Sequence, residues 1–184
     1  MLTHGAGGNC QAPLLVAAAG ALTAAGLCVL RYDLPFRQRR PTGPPSSSGA
    51  ADRAGLKEAA AAMRDVIAGP IYLGGQSYGG RQATMLAADE PEIAQGLLLF
   101  SYPLHPPGKP DRLRIEHFPR LTAPALFVHG SRDPFGAIPE LRDAITQIPA
   151  PTELIPVEEA GHDLRRGRFD LAGVAMAFLA LLRD

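Results

Sequence analysis

The pattern Gly-x-Ser-x-Gly has the clearest chemical meaning in this sequence, and it occurs at residues 75–79 as Gly-Gln-Ser-Tyr-Gly. Residues 71–73 before it predict a strand, and residues 80–83 after it predict the start of a helix. A sharp turn between strand and helix exposes a serine hydroxyl, and glycines keep β-carbons out of that turn. A glycine-rich turn with an incidental serine is the alternative. The strand and helix on either side favour Ser77 as a nucleophile.

An acidic residue, Asp133, lies just past the apolar run Ala125–His129, which predicts a buried strand. Open α/β sheets gather their functional groups beyond the carboxyl ends of strands. A carboxylate there can accept the Nδ1 proton of a histidine, which fixes the tautomer and stabilises the imidazolium. An aspartate that only caps a turn is the alternative. The chain order of nucleophile, then acid, then base favours the functional interpretation.

His162 follows the last predicted strand, Glu153–Val157, across a short acidic turn, and Gly161 allows the backbone to turn sharply. Imidazole exchanges protons near neutral pH, so a histidine here can take the serine proton and return it to a leaving group. The weaker candidates for the base are His4, His105, His117 and His129. The rivals for the acid, which the chain order disfavours, are Glu158, Glu159 and Asp163.

A His-Gly pair followed by small residues, His-Gly-Ala-Gly-Gly at residues 4–8, directly precedes a predicted helix. Such a loop supplies one backbone N–H to an oxyanion, and the residue after the nucleophile supplies another. The donors are therefore predicted to be the amides of Ala6 and Tyr78. A phosphate-binding glycine loop is the alternative, but it lacks the Walker lysine and the Gly-x-Gly-x-x-Gly spacing.

Short β-rich runs alternate with alanine-rich stretches along the chain, which is typical of a parallel sheet with helices on both faces. The predicted strands are Met1–Thr3, Leu27–Tyr32, Ile71–Gly74, Gly96–Ser101, Ala125–His129 and Glu153–Val157. The predicted helices are Ala12–Ala25, Ala51–Ala68, Tyr78–Ala88, Pro139–Ile148 and Phe169–Leu182. The predicted fold class is α/β: a three-layer αβα sandwich with about six mostly parallel strands, in a single domain over residues 1–184.

Two segments interrupt this alternation. Residues 35–50 are rich in Pro, Ser, Gly and Arg and predict a mobile surface loop, and residues 102–121 contain five prolines and are expected to cross the top of the sheet. Neither is long enough for a cap domain, so we expect an open pocket that both loops shape. The candidate lining residues are Tyr32, Tyr78, Tyr102, His105 and Phe135.

Composition excludes several classes of function. The 18 basic and 18 acidic side chains balance, which predicts no general attraction to nucleic acid or anionic membrane. The arginine clusters at residues 37–40 and 165–168 are interpreted as solvated loop charge. The two cysteines, Cys10 and Cys28, have no metal-ligand spacing and favour a reducing compartment, with Cys28 buried in a strand. The apolar stretch 13–30 is rich in alanine and glycine and has no basic residues before it, which disfavours a membrane helix or a signal peptide. We interpret it as a helix followed by a buried strand, and we therefore expect a cytoplasmic protein.

Four motifs together resemble one protein family. They are His-Gly-Ala-Gly-Gly at 4–8, Gly-Gln-Ser-Tyr-Gly-Gly-Arg at 75–81, Tyr-Pro-Leu-His-Pro-Pro-Gly-Lys at 102–109 and His-Gly-Ser-Arg-Asp-Pro-Phe-Gly at 129–136. The sequence resembles the α/β-hydrolases grouped with NSL-complex-subunit and testis-expressed hydrolase-like proteins, which are relatives of dienelactone hydrolase. The resemblance implies a fold without a cap domain and a catalytic triad at Ser77, Asp133 and His162. It implies no particular substrate.

The sequence departs from this family at its start, because only three residues precede the His-Gly loop. The resemblance implies two leading strands and a full third strand there. We therefore expect either a start further upstream or a fold that lacks its first two strands. The strand Leu27–Tyr32 would then be an uncovered edge, and apolar edges pair with other strands, which favours a homodimer through it.

The sequence thus predicts a serine hydrolase that cleaves a small ester, thioester or related acyl substrate, with no cofactor and no metal. Two alternatives stay open. One is a non-catalytic scaffold or binding protein that retains the fold, and the other is an acyltransferase or perhydrolase that uses the same triad. The intact triad disfavours the scaffold, whereas hydrolysis and acyl transfer differ in how the pocket excludes water.

Overall fold

The structure is a computed structural model that describes residues 1–46, 48–106 and 108–183. Ser47, Pro107 and Asp184 lie outside the described residues. The first two fall within the predicted loops 35–50 and 102–121.

Six parallel strands form one sheet, as the sequence predicts. They are β1 (Leu2–Thr3), β2 (Arg31–Tyr32), β3 (Leu73–Gln76), β4 (Leu97–Phe100), β5 (Ala125–Gly130) and β6 (Thr152–Val157). Their order across the sheet is β2-β1-β3-β4-β5-β6, and every neighbouring pair is parallel. The carboxyl ends of all six strands therefore lie along the same edge of the sheet.

Helices cover both faces of this sheet. They are α1 (Pro13–Ala24), α2 (Pro35–Arg39), α3 (Ala50–Val66), α4 (Tyr78–Asp89), α5 (Ile138–Ile145) and α6 (Leu171–Leu181). Two short 3-10 turns occur at Pro91–Ile93 and Phe118–Arg120. Helices α1 and α6 pack on one face, and α2 to α5 on the other. In the part of the chain that the structure describes, no helix is both long enough and apolar enough to cross a bilayer.

The central strand β4 is apolar at every position because both of its faces are covered. In β4, Leu97 and Leu99 point toward the face of α3 and α4, whereas Leu98 and Phe100 point toward α1 and α6. All four side chains are at most 2% exposed. Burying a leucine of this size stabilises the fold by about 2 kcal/mol. The two apolar layers hold the central strands, and with them the turn after β3, in place.

The predicted strand Leu27–Tyr32 is corrected to a much shorter one. It lies at the edge of the sheet, but only Arg31 and Tyr32 pair with β1. Cys28, predicted to be buried, is exposed because no strand lies beyond this edge to cover it. Dimerisation through this edge stays a prediction.

The prediction of a mobile loop over residues 35–50 is wrong for its first part, which forms α2. Pro35 provides a fixed φ at the first helical position. The Asp52 carboxylate accepts a hydrogen bond from the Phe36 amide (3.0 Å). The Phe36 ring then packs against His4 and Tyr78, at centroid distances of 5.5 and 5.7 Å. A single aromatic anchor and a buried carboxylate thus order a segment whose composition predicts a loop.

The proline-rich segment 102–121 lacks regular structure except for the 3-10 turn, yet part of it is core. Tyr102, Leu104 and Phe118 are at most 1% exposed. The Tyr102 ring lies 5.3 Å from Phe118 and 5.8 Å from Phe127, and its hydroxyl donates to the Arg114 carbonyl (2.7 Å). This segment is therefore attached to the sheet beside the site.

Replacing Gly79 with alanine is expected to destabilise the protein by more than about 2 kcal/mol. A β-carbon there would lie 2.6 Å from the His4 carbonyl oxygen and also collide with the Thr3 hydroxyl, so α4 would have to move away from β1. The matched control is Gly20→Ala on exposed α1, where nothing lies within 4 Å of the added carbon. This control should stabilise by about 0.5–1 kcal/mol. Urea unfolding measures both, and equal effects of the two variants would contradict the close approach.

Candidate active site

Ser77 lies in a strained turn between β3 and α4. Its backbone has φ 51° and ψ −116°, a region that residues with a β-carbon rarely occupy. Its amide donates to the Phe100 carbonyl (2.9 Å), which continues the pairing of β3 with β4. Gly75 and Gly79 pass so close to Thr3 that a β-carbon on either would overlap it. The turn thus presents the serine side chain at the carboxyl edge of the sheet.

The structure brings Ser77, Asp133 and His162 together from three separate parts of the chain. His162 Nε2 lies 2.8 Å from Ser77 Oγ, and His162 Nδ1 lies 2.7 Å from Asp133 Oδ2. The Asp133 side chain is fully buried, whereas that of His162 is 23% exposed. These distances allow Nδ1–H to donate to the carboxylate while Nε2 accepts from the hydroxyl. The serine proton therefore has a direct acceptor.

Phe135 contacts both Asp133 and His162. Its amide donates to Asp133 Oδ1 (2.9 Å), which leaves Oδ2 directed at His162. Its ring lies over the His162 imidazole, with 4.1 Å between centroids and 30° between planes. This stacking limits rotation of the imidazole and shields it from water on that side. Phe135, predicted only as a pocket residue, also lines the cavity.

The two backbone amides predicted as oxyanion donors lie beside the serine. Ala6 and Tyr78 line the same cavity as Ser77. Among the described residues, neither amide N–H has a hydrogen-bond acceptor within the protein. A β-carbon on Gly5 would lie 3.5 Å from that of Ser77, so the loop after β1 touches the nucleophile turn. Two backbone donors without an acceptor among the described residues therefore face the same cavity as the Ser77 hydroxyl.

Arg37 holds the loop of Ala6, which corrects its interpretation as solvated charge. The residue is only 7% exposed. Its guanidinium donates to the carbonyls of Ala6 (2.7 Å), Gly8 (2.8 Å) and Pro41 (2.7 Å). It also lies 4.8 Å from the centroid of the Phe36 ring. The cation therefore replaces solvent for carbonyls that the glycine-rich loop leaves without partners.

The buried histidines His4, His117 and His129 each have a ring nitrogen within hydrogen-bond distance of a group other than Ser77. In His4, Nδ1 lies 2.8 Å from the Gly5 carbonyl and Nε2 accepts from the Leu34 amide (3.1 Å), which requires the neutral ring. Burial lowers the pKa of His4 and of His129. Burial, with the charges of Arg81 and Arg120 nearby, lowers the pKa of His117 to about 4.

The cavity in front of Ser77 is open and has a volume of about 890 Å³. Of the five predicted lining residues, Tyr78 and Phe135 line it. The prediction is corrected for the other three. Tyr102 belongs to the core, His105 is 6% exposed with its Nδ1 3.0 Å from the Pro106 carbonyl, and Tyr32 packs beside Pro35 and Gly55. Packing and polar contacts within the fold hold these three side chains away from the cavity, which residue type alone does not reveal.

Several residues of the site were missed by sequence reasoning. Arg81 and Arg114 line the cavity, and Asp52 accepts a hydrogen bond from the Tyr78 hydroxyl (2.6 Å). Asp52 is 1% exposed, and its proximity together with burial raises the pKa of Tyr78. A usable indication existed only for Arg81, because it lies four residues after Ser77 in a predicted helix and therefore on the same face.

Comparison with known proteins identifies the family and the fold of the chain. The family described as "Alpha/beta hydrolase domain" matches residues 1–172 of the chain. Among solved structures, dienelactone hydrolase from Anabaena variabilis is 26% identical with a TM-score of 0.72, covering 98% of this chain and 82% of that one.

Two further structures show the fold alone, because their sequences are less similar. A serine hydrolase without lid from Xanthomonas campestris is 18% identical, with a TM-score of 0.70 and coverage of 99% of this chain and 80% of that one. Monoacylglycerol lipase from Paleococcus ferrophilus is 15% identical, with a TM-score of 0.78 and coverage of 99% and 93%. The expectation of this fold without a cap domain is confirmed.

Replacing Arg37 with alanine is expected to lower the free energy of unfolding by about 3 kcal/mol, because three loop carbonyls lose a charged donor. The matched control is Arg39→Ala on the same helix, where the side chain is exposed and the change should stay within about 0.5 kcal/mol. Urea unfolding compares the two variants. Similar values for both would show that Arg37 does not support the loop.

The depressed pKa of His117 predicts a loss of stability in mild acid. The unfolded chain binds a proton near pH 6.5, whereas the folded one does so only near pH 4, so stability is full above 6.5 and falls as pH drops toward 4. The contribution lost is about 3 kcal/mol. His117→Gln keeps an N–H donor for the Thr84 hydroxyl, which lies 2.8 Å from Nε2, and should flatten this part of the pH profile. Identical slopes for wild type and variant between pH 7 and 4.5 would contradict the assignment.

Proposed function

This chain belongs to the alpha/beta hydrolase domain family, and from that membership and the geometry of its site we propose that it is a serine hydrolase of a small ester, thioester or related acyl compound. The observation that carries the proposal is the unbroken path from Ser77 Oγ through His162 to the buried Asp133, with steps of 2.8 and 2.7 Å. A nucleophile, a base and an orienting acid in this contact define the chemistry of acyl transfer.

In the first half of the reaction, Ser77 Oγ attacks the carbonyl carbon as His162 Nε2 takes the hydroxyl proton. The imidazolium is stabilised by the Asp133 carboxylate on its other nitrogen. The carbonyl π electrons move to oxygen, and the amides of Ala6 and Tyr78 donate to that oxyanion. Collapse expels the alcohol or thiol, which takes the proton from His162, and leaves an acyl group on Ser77.

In the second half, water enters from the open cavity and repeats these steps. His162 removes a proton from the water, which attacks the acyl-serine carbonyl, and the same amides hold the second oxyanion. Collapse returns the proton to Ser77 Oγ and releases the acid. The cavity in front of Ser77 is open to solvent, which favours water as the second nucleophile.

The neighbouring structures support an esterase. The neighbour at 26% identity is named a dienelactone hydrolase, and a neighbour that shares the fold at 15% identity is named a monoacylglycerol lipase. The four motifs, above all Tyr-Pro-Leu-His-Pro-Pro-Gly-Lys at 102–109, support the further proposal that the chain is a relative of the NSL-complex-subunit and testis-expressed hydrolase-like group. Neither likeness specifies the acyl group.

The test is labelling by a fluorophosphonate probe, together with turnover of p-nitrophenyl butyrate. Wild type should be labelled and active, and Ser77→Ala should lose both. Asp133→Asn should lower kcat by about 10⁴-fold, since the carboxylate no longer fixes and stabilises His162. Ser131→Ala, a serine outside the cavity whose Oγ accepts from the Glu159 amide, is the matched control and should keep wild-type labelling. A folded wild-type protein that is neither labelled nor active on short-chain esters would overturn the proposal.

A further inference from the structure

Two arginine side chains of the active-site cavity have no hydrogen-bond or ion-pair partner among the residues that the structure describes. Arg81 and Arg114 both line the cavity and are half-buried. Among the described residues, neither guanidinium forms an ion pair with a carboxylate. Arg81 Nε is fully buried and has no hydrogen-bond acceptor. Buried cationic donors without acceptors are costly unless something else satisfies them.

Other arginines of the chain differ in this respect. Arg165, the third arginine of the cavity, lies 3.7 Å from the Asp163 carboxylate and is exposed. Arg37 has carbonyl acceptors, and Arg120 pairs with Asp89 at 2.9 Å. The cavity therefore contains three arginines against one aspartate, and the surplus positive charge belongs to the two arginines without partners.

Both side chains are attached to rigid parts of the site. Arg81 lies in the first turn of α4, where its amide donates to the Ser77 carbonyl (2.9 Å), so it lies one helical turn from the nucleophile. Arg114 donates from its amide to the Leu104 carbonyl (2.8 Å), and its own carbonyl accepts from the buried Tyr102 hydroxyl (2.7 Å). Neither backbone can withdraw without breaking core contacts.

The two positive charges line the same cavity. Burial and the neighbouring charge of Arg81 lower the pKa of Arg114. The exposed Glu116 contributes in the opposite direction but forms no ion pair with either arginine. Two like charges held together in a half-buried wall are stabilised by an anion placed between them, and guanidinium groups bind carboxylate and phosphate in a bidentate manner.

Resting on the proposed hydrolase function, we infer that Arg81 and Arg114 form a subsite for an anionic substituent of the substrate, a carboxylate or a phosphate. The acyl compound would then lie with its carbonyl at Ser77 and its anionic end against the two guanidinium groups. This assignment makes the enzyme selective for charged over neutral esters. It also gives a role to the surplus charge, which the triad does not use.

The test compares two esters of equal chain length, p-nitrophenyl monoglutarate and p-nitrophenyl pentanoate. Only the first has a terminal carboxylate. The readout is the ratio of their kcat/KM values, which should exceed one in wild type. Arg81→Gln and Arg114→Gln should each lower this ratio about 10–100-fold, the range for one charged hydrogen-bonded contact. Arg112→Gln removes the same charge from an exposed position of the same segment and should leave the ratio unchanged.

A second arm distinguishes the two anions. Inorganic phosphate and glutarate are compared as competitive inhibitors of pentanoate turnover, and the stronger one identifies the preferred group. Inhibition by either should weaken about 10-fold or more in Arg81→Gln. A ratio of one or below in wild type that neither variant alters, with no inhibition by either anion, would overturn the subsite.

A failure of the anionic subsite and a failure of the proposed hydrolase function give different results. If wild type turns over the pentanoate ester and Ser77→Ala does not, the hydrolase function is supported whatever the ratio of the two kcat/KM values is. If neither ester is turned over, calorimetric titration of glutarate and phosphate into wild type and Arg81→Gln decides on the subsite alone. Binding that the variant loses supports it, and absence of binding to wild type contradicts it. Both variants are checked for folding by circular dichroism, and the two arginines lie on separate elements, so a folding defect in one leaves the other as a test.

Discussion

The turn around Ser77 packs closely against β1 and the loop that follows it, and the Thr3 hydroxyl donates a hydrogen bond to the Gly74 carbonyl (3.1 Å) at this contact. Thr3 and His4 contact the turn where Gly75 and Gly79 lack β-carbons. This contact places the loop of Ala6 next to the serine and fixes where α4 begins. Because α4 also bears Tyr78 and Arg81, the two proposed oxyanion donors and one of the cavity arginines all depend on the same close approach.

Around this contact, the buried side chains of Arg37 and Asp52 each have several hydrogen-bond partners. Arg37 donates to the carbonyls of the Ala6 loop, and Asp52 accepts from the Phe36 amide and the Tyr78 hydroxyl. These partners make the site rigid, because each one would leave an unsatisfied group if it moved. The two arginines without partners are the exception within the cavity. A cavity wall whose other polar groups have hydrogen-bond partners, but which carries two unpaired arginines, is suited to an anionic ligand.

The elements that could be predicted are those governed by local rules. The apolar runs of β4 and β5 and the alanine-rich helices follow from pattern, and their predicted bounds differ from the observed ones by a few residues. The predictions failed where tertiary contacts override composition. A single buried aromatic, Phe36, orders α2 in a proline- and arginine-rich segment, and the lack of a further strand exposes Cys28. Tyr102 was assigned to the pocket from its type, but the aromatic core around Phe118 draws it inward.

The sequence by itself determined the α/β fold class and the order of the three groups now found in contact, because periodicity and a strained glycine turn are local properties. It also placed Ala6 and Tyr78 beside the nucleophile, since both follow strands whose carboxyl ends meet. Only the tertiary structure decided which charges are paired. An arginine can be solvated in a loop, can donate to buried carbonyls or can line a cavity without a partner. Which of these occurs depends on acceptors that lie far away in the chain. For Arg37 the acceptors are present and for Arg81 they are absent, and no local pattern distinguishes the two.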